Sequence, residues 1–158
     1  MRKTVNGTKK ITFERDGFDE RQKMFRGRGF MYGYLVLLFL SALINTGEIF
    51  TNCLNEFTRF SICAWPSMAV IFIYFIVHDA FEGINVTGRK TFMVIYTLCG
   101  LLNLISPLYH LFIKGEPAMV DGIAGDWVGN LSCGLCMTVV SVVYFIKVMK
   151  NRKNLEEE

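Results

Sequence analysis

A chain of 158 residues is enough for one domain of ordinary size. Hydrophobic residues make up 52% of it and mean hydropathy is +0.34, only modestly above the roughly 45–50% apolar content of soluble domains. The totals therefore exclude little, and the distribution decides. The formal charge of +3, once sorted by segment, answers to a membrane surface with anionic headgroups and excludes nucleic acid as the partner.

Residues 1–28 are polar and carry nine of the seventeen Lys and Arg residues. The Asn6-Gly7 pair between short β-prone runs predicts a marginal hairpin. Asp16, with Asp19 three residues on, predicts an N-cap for a short juxtamembrane helix through Phe25. Gly27 and Gly29 are expected to bend the chain before it enters the membrane. This leader is too long for the n-region of a signal peptide, so the first apolar run is expected to be a retained anchor.

Four stretches then lack any Asp, Glu, Lys or Arg: Gly29 to Gly47, Phe60 to Val77, Thr91 to Ile113 and Trp127 to Ile146. Each approaches the roughly 20 residues that a helix needs to cross the hydrocarbon core. Unpaired backbone groups are costly in lipid, so helices are expected throughout. The predicted fold is all-α, an integral membrane four-helix bundle over residues 29–148, with a short N-terminal juxtamembrane helix and a charged tail over 149–158.

The basic residues alternate by side. Nine precede the first span, two lie in the second connection and four follow the fourth span, against one in each of the first and third connections. Fifteen against two places both ends in the cytoplasm, in a multi-pass protein of the plasma membrane. Trp65, Tyr109 and Trp127 are expected at the outer interface, and Tyr32, Tyr34 and Tyr144 at the inner one. Short connections predict that sequential helices are antiparallel neighbours. Pro107 predicts a kink in the third span. Small residues at close-approach spacing, Gly29-x-x-x-Gly33 and Gly125-x-x-x-Gly129, are compatible with helix packing and with a homodimer.

Polar residues within the spans fall at helical spacing. Ser41, Asn45 and Glu48 mark the first span and His78 the second. Asn103 and His110 belong to a third-span series with Tyr96, Cys99 and Ser106. Such seams are expected to face the bundle interior; lined with water, they would instead form the path of a small transporter or channel. His78, Asp79 and Glu82 cluster at the end of the second span without a further ligand group, so no metal and no cofactor are expected.

Cys53 and Cys63 fall at the outer side, and Cys133-Gly-Leu-Cys136 lies just inside it. This layout resembles vitamin K epoxide reductase-like and disulfide-forming membrane proteins, a resemblance that implies thiol–disulfide exchange through these four cysteines. The first outer connection is much shorter than that family's loop. On a membrane helix, cysteine also serves as a small apolar packing residue.

The juxtamembrane run Asp19-Glu20-Arg21-Gln22, followed by basic residues and an apolar span, resembles a group of uncharacterised bacterial four-span membrane proteins. A Gly83-Ile84 turn after the second span is similar to theirs as well. The resemblance covers about the first 90 residues and implies a non-enzymatic regulatory, signalling or immunity role. Phe18, Asp19, Glu20, Arg21, Gln22 and Phe25 are the expected contact residues for a cytosolic protein.

Overall fold

The computed structural model describes residues 18–81 and 89–156. Four helices dominate it: α1 (Glu20–Thr51), α2 (Glu56–Val77), α3 (Arg89–Leu108) and α4 (Asp126–Glu156). Each has a segment long and apolar enough to cross a membrane. The chain is an all-α, multi-pass membrane protein built as a four-helix bundle.

Side-chain caps decide where the helices begin. Asp19 Oδ1 accepts the Gln22 backbone N–H at 2.6 Å, and Gln22 Oε1 accepts the Asp19 backbone N–H at 3.3 Å. This reciprocal box satisfies two of the donors left open at a helix start. The Asn6-Gly7 hairpin and the Asp16 cap lie outside the described residues, but the box places the helix start at Glu20. Helix α1 then runs unbroken through Gly27 and Gly29 to Thr51. The juxtamembrane helix is therefore the first turns of α1 rather than a separate element, and the expected bend gives way to close packing. A Cβ at Gly29 would meet the rings of Phe75 and Tyr74, and one at Gly33 would overlap Ile71, so both glycines admit α2. Asn52 closes α1 in the left-handed region at φ 43°. Asn55 opens α2, its side chain accepting the Thr58 N–H at 2.7 Å.

Pro107 is buried in α3, which loosens beyond it into a π-helical turn, Tyr109–Ile113. A proline has no N–H to donate and its ring crowds the turn before it; the α-helical pattern nevertheless continues through Pro107 to Leu108, and the widened turn follows it. The chain then makes a two-residue hairpin, β1 (Met119–Val120) pairing antiparallel with β2 (Ile123–Ala124), with Val120 opposite Ile123. Asp121 and Gly122 at its tip have φ of 51° and 81°, the twist that a tight hairpin requires.

Helix α1 packs on α2, α2 on α4, and α3 mainly on α4. The expected pairing of sequential helices holds for α1–α2 and α3–α4. The principal partner of α2 on its other side is α4, which runs parallel to it: Gly129 lies against Phe57 and Ser61, and Lys147 reaches the carbonyl of Val77. One core cluster joins α2, α3 and α4 through Ala69, Ile76, Met93, Val140 and Tyr144. Tyr144, expected at an interface, is only 5% exposed. Its ring fills this core because α4 is enclosed by two neighbours.

Candidate interaction site at the basic end

The bundle has two unlike ends. At the basic end α1 starts, α2 stops and α4 runs out to its polar tail. The hairpin end holds β1, β2 and the α1–α2 turn.

A helix that stops leaves carbonyls without partners and a partial negative charge. At the end of α2, side chains from two other helices answer both. Lys147 on α4 donates to the Val77 carbonyl at 3.2 Å and pairs with Asp79 at 3.1 Å. Gln22 on α1 donates through Nε2 to the Asp79 carbonyl at 2.9 Å, and Arg26 donates to the Ala80 carbonyl at 3.4 Å. Asp79 itself adopts φ 55°, which turns the chain back so that these carbonyls face α1 and α4. The Gln22 amide thus serves the α1 cap and the α2 terminus together.

Aromatic groups fill the space beneath. Phe25 stacks on His78 with ring centres 4.6 Å apart and also meets Tyr74. The Arg26 guanidinium lies 4.3 Å from the Phe18 ring centre and 5.0 Å from that of Phe75, a favourable cation–π placement. The six expected contact residues consequently divide by helix face. Gln22 and Phe25 turn toward α2, and Phe18 lies half-buried under Arg26. Asp19, Glu20 and Arg21 stay exposed. Glu20, Arg21, Met24 and Arg28 form one outward stripe at helical spacing, with Met24 47% exposed. The Asp-Glu-Arg-Gln motif is therefore half structural: Asp19 and Gln22 build the cap and the latch, and Glu20 and Arg21 are left to face outward. His78 and Asp79 are engaged with Phe25 and Lys147, and Glu82 lies outside the described residues. No group of three or more metal-ligating side chains occurs among the described residues.

The hairpin end is organised by Glu48, buried at the end of α1. Its Oε2 pairs with Arg59 Nη2 at 2.9 Å and its Oε1 accepts the Leu54 N–H at 3.0 Å. One carboxylate thus ties α1, the turn and α2 together. The β-hairpin docks on the same turn: Ala124 N–H donates to the Cys53 carbonyl at 2.7 Å, and Asn55 Nδ2 donates to the Ala124 carbonyl at 2.9 Å. Beside it, His110 Nδ1 lies 2.6 Å from Glu116, which Lys114 also approaches at 3.3 Å. The hydrogen bond from His110, and then that from Lys114, hold the Glu116 carboxyl below its ordinary pKa.

The expected seams are only partly interior. Glu48 is buried, whereas Ser41 and Asn45 face a cleft between α1 and α2 and lie 3.4 Å apart. Among the described residues Asn103 makes no bond across the bundle; its amide donates to the Cys99 carbonyl one turn back at 2.9 Å. His110 sits at the bundle's end with Glu116, not along an interior path. The contact face of α3 is the neighbouring stripe, with Thr97 donating to Ser141 at 3.0 Å and Gly100 lying under Met137. In α4, Gly134 lies under Leu104. Tyr96 of the expected series packs against the core, but Asn103 turns back on its own helix, because a side chain of Asn length reaches its own carbonyls, whereas close approach in lipid requires small residues. Ser132 completes this packing by donating to the Ser61 carbonyl at 3.5 Å.

All five cysteines are free thiols. Cys53 lies 3.6 Å from Glu48 Oε1, and Cys63 is buried at the α1–α2 cleft. Cys133 points to the sulfur of Met137, 3.7 Å away, and Cys136 packs against the α2–α3–α4 core. Comparison with family models, with curated proteins and with solved structures finds no match for the chain.

Proposed function

We propose that this chain is a non-enzymatic protein of a bacterial plasma membrane that acts by interaction, presenting the outward stripe of α1 to the inner membrane surface and to a cytosolic protein. In this reading both termini are cytoplasmic, as the distribution of Lys and Arg favours. The bacterial setting and the regulatory or immunity-type role rest on the resemblance of Asp19-Glu20-Arg21-Gln22 to the motif of bacterial four-span proteins.

The observation that carries the proposal is the division of the arm's faces. Gln22, Phe25 and Arg26 hold the first turns of α1 to the end of α2, which leaves Glu20, Arg21, Met24 and Arg28 on an exposed face. A fixed face binds at lower entropic cost than a loose arm. The pairing of Thr97 with Ser141 and of Ser132 with the Ser61 carbonyl supports interaction over conduction, because those polar groups are used in helix packing.

A photo-crosslinking residue at Met24 tests it. Capture of a cytosolic protein at Met24, with capture only of this chain's own α2 from Gln22, is the expected result. Lipid alone at Met24 under every growth condition would overturn the docking role. Orientation is read separately, from single cysteines in a cysteine-free background. One at Met119 should react with an impermeant thiol reagent on intact cells and one at Asn151 should not.

A further inference from the structure

We infer that the cleft between α1 and α2 at the hairpin end is a binding site for one zwitterionic phospholipid of the phosphatidylethanolamine class. Its mouth is polar, with Ser41 and Asn45 on α1 facing Glu56 and Arg59 on α2. Leu37 and Phe60 lie at its floor and also line a second, apolar groove that continues between Gly33 and Ile71, past Ala64 and Ser67. From Arg59 to Ile71 is twelve residues of helix, about 18 Å at 1.5 Å per residue. That is close to one leaflet of a hydrocarbon core of about 30 Å. Mouth and groove therefore match a headgroup at the interface with an acyl chain below it.

The charges select the headgroup. Arg59 pairs with Glu48 through Nη2, and that pairing neutralises it. Its Nη1 has no partner among the described residues, nor does its buried Nε. A guanidinium carries five N–H donors in a fork suited to phosphate; with Nη2 paired and Nε enclosed, Nη1 is the donor left for a phosphate oxygen. One helical turn away, Glu56 is exposed with no partner among the described residues, placed for a primary ammonium. With Glu48 already committed to Arg59, Glu56 gives the mouth an excess negative charge. That charge disfavours a headgroup that is anionic only and favours one that carries phosphate and ammonium together.

Native mass spectrometry of the purified full-length chain tests this, after equilibration in mixed micelles with equal phosphatidylethanolamine and phosphatidylglycerol. Phosphatidylethanolamine adducts should be retained roughly tenfold over phosphatidylglycerol, the value of about one charge-assisted hydrogen bond. Glu56→Gln, a change at an exposed side chain, should erase that preference. Ala64→Phe, which fills the apolar groove without changing charge, should reduce retention of both lipids. Equal retention of the two lipids by the unaltered protein would overturn the inference, as would an unchanged preference in Glu56→Gln. Protection of the groove by a second copy, seen as a lipid-free dimer, would overturn it too. Should Ala64→Phe fail to fold, the Glu56→Gln comparison decides alone.

Discussion

Replacing Glu48 separates two contributions that one carboxylate makes to the α1–α2 turn. Glu48→Gln keeps an acceptor for the Leu54 N–H but removes the charge that pairs with Arg59. A charge-assisted hydrogen bond is worth about 1.5–3 kcal/mol, and the Arg59 side chain is 35% exposed, so screening reduces the expected loss to about 1–2 kcal/mol. Glu48→Leu removes the pair and also strands the Leu54 N–H, adding about 1–3 kcal/mol. At about 2–4 °C per kcal/mol for a chain of this size, Glu48→Leu should melt well below Glu48→Gln in a detergent thermal scan. Adding Arg59→Leu to Glu48→Leu should restore part of the loss, because a half-broken buried pair is worse than an apolar one. Equal melting of the two single variants, or no recovery in the double, would refute the assignment of Glu48 as the tie between helix, turn and helix.

Gly33→Ala, whose Cβ would overlap Ile71, should cost about 1–3 kcal/mol in the same scan. Gly47→Ala, with nothing within 4 Å, should be neutral or stabilise by about 0.4–1 kcal/mol. Ser141→Val removes the hydroxyl that Thr97 donates to and should cost about 0.6–1.7 kcal/mol, against a smaller effect for Asn103→Leu, whose amide bonds the Cys99 carbonyl of its own helix. The lowered pKa of Glu116 fixes a sign: its contribution is present above the ordinary carboxylate range and is lost as pH falls through the depressed value. Glu116→Gln should therefore flatten the acid limb of the melting-temperature profile, and an unchanged acid limb would dismiss the His110–Glu116 pair as a stabilising contact.

The spans were legible because absence of charge over about 20 residues is a one-dimensional signal that lipid enforces. The α1 start was legible in kind, since Asp19 and Gln22 stand at capping-box spacing, although Asp16 stands at the same spacing from Asp19 and competes for the cap. The hairpin at Asp121-Gly122 carries a strong local signal in its turn dipeptide, although its strands are only two residues each. The latch at the basic end was not legible. Nothing in the sequence near Lys147 announces that it will reach Val77, seventy positions away, because that contact depends on α4 running parallel to α2. The α3 face failed for a related reason. Its series of polar residues has the right period, but the interface is set by Gly100 and Gly134 and the bulk that they admit.

The placement of α4 beside both α2 and α3 also bears on how the protein is made. An α1–α2 pair has its contacts, from Gly29 against Phe75 to Glu48 against Arg59, as soon as residue 77 has entered the membrane. Helix α3 has no such provision, since its main packing surface arrives only with residues 126–156. At about 5–20 residues per second of synthesis, the forty-three residues from Lys114 to Glu156, where α4 ends, take roughly 2–9 s to appear. During that interval α3 sits in lipid beside a finished pair, its Thr97 hydroxyl confined to the carbonyl of Met93 on its own helix. A ribosome that stalls before Asp126 would leave a nascent chain whose third helix lacks the partner that covers most of its packing surface.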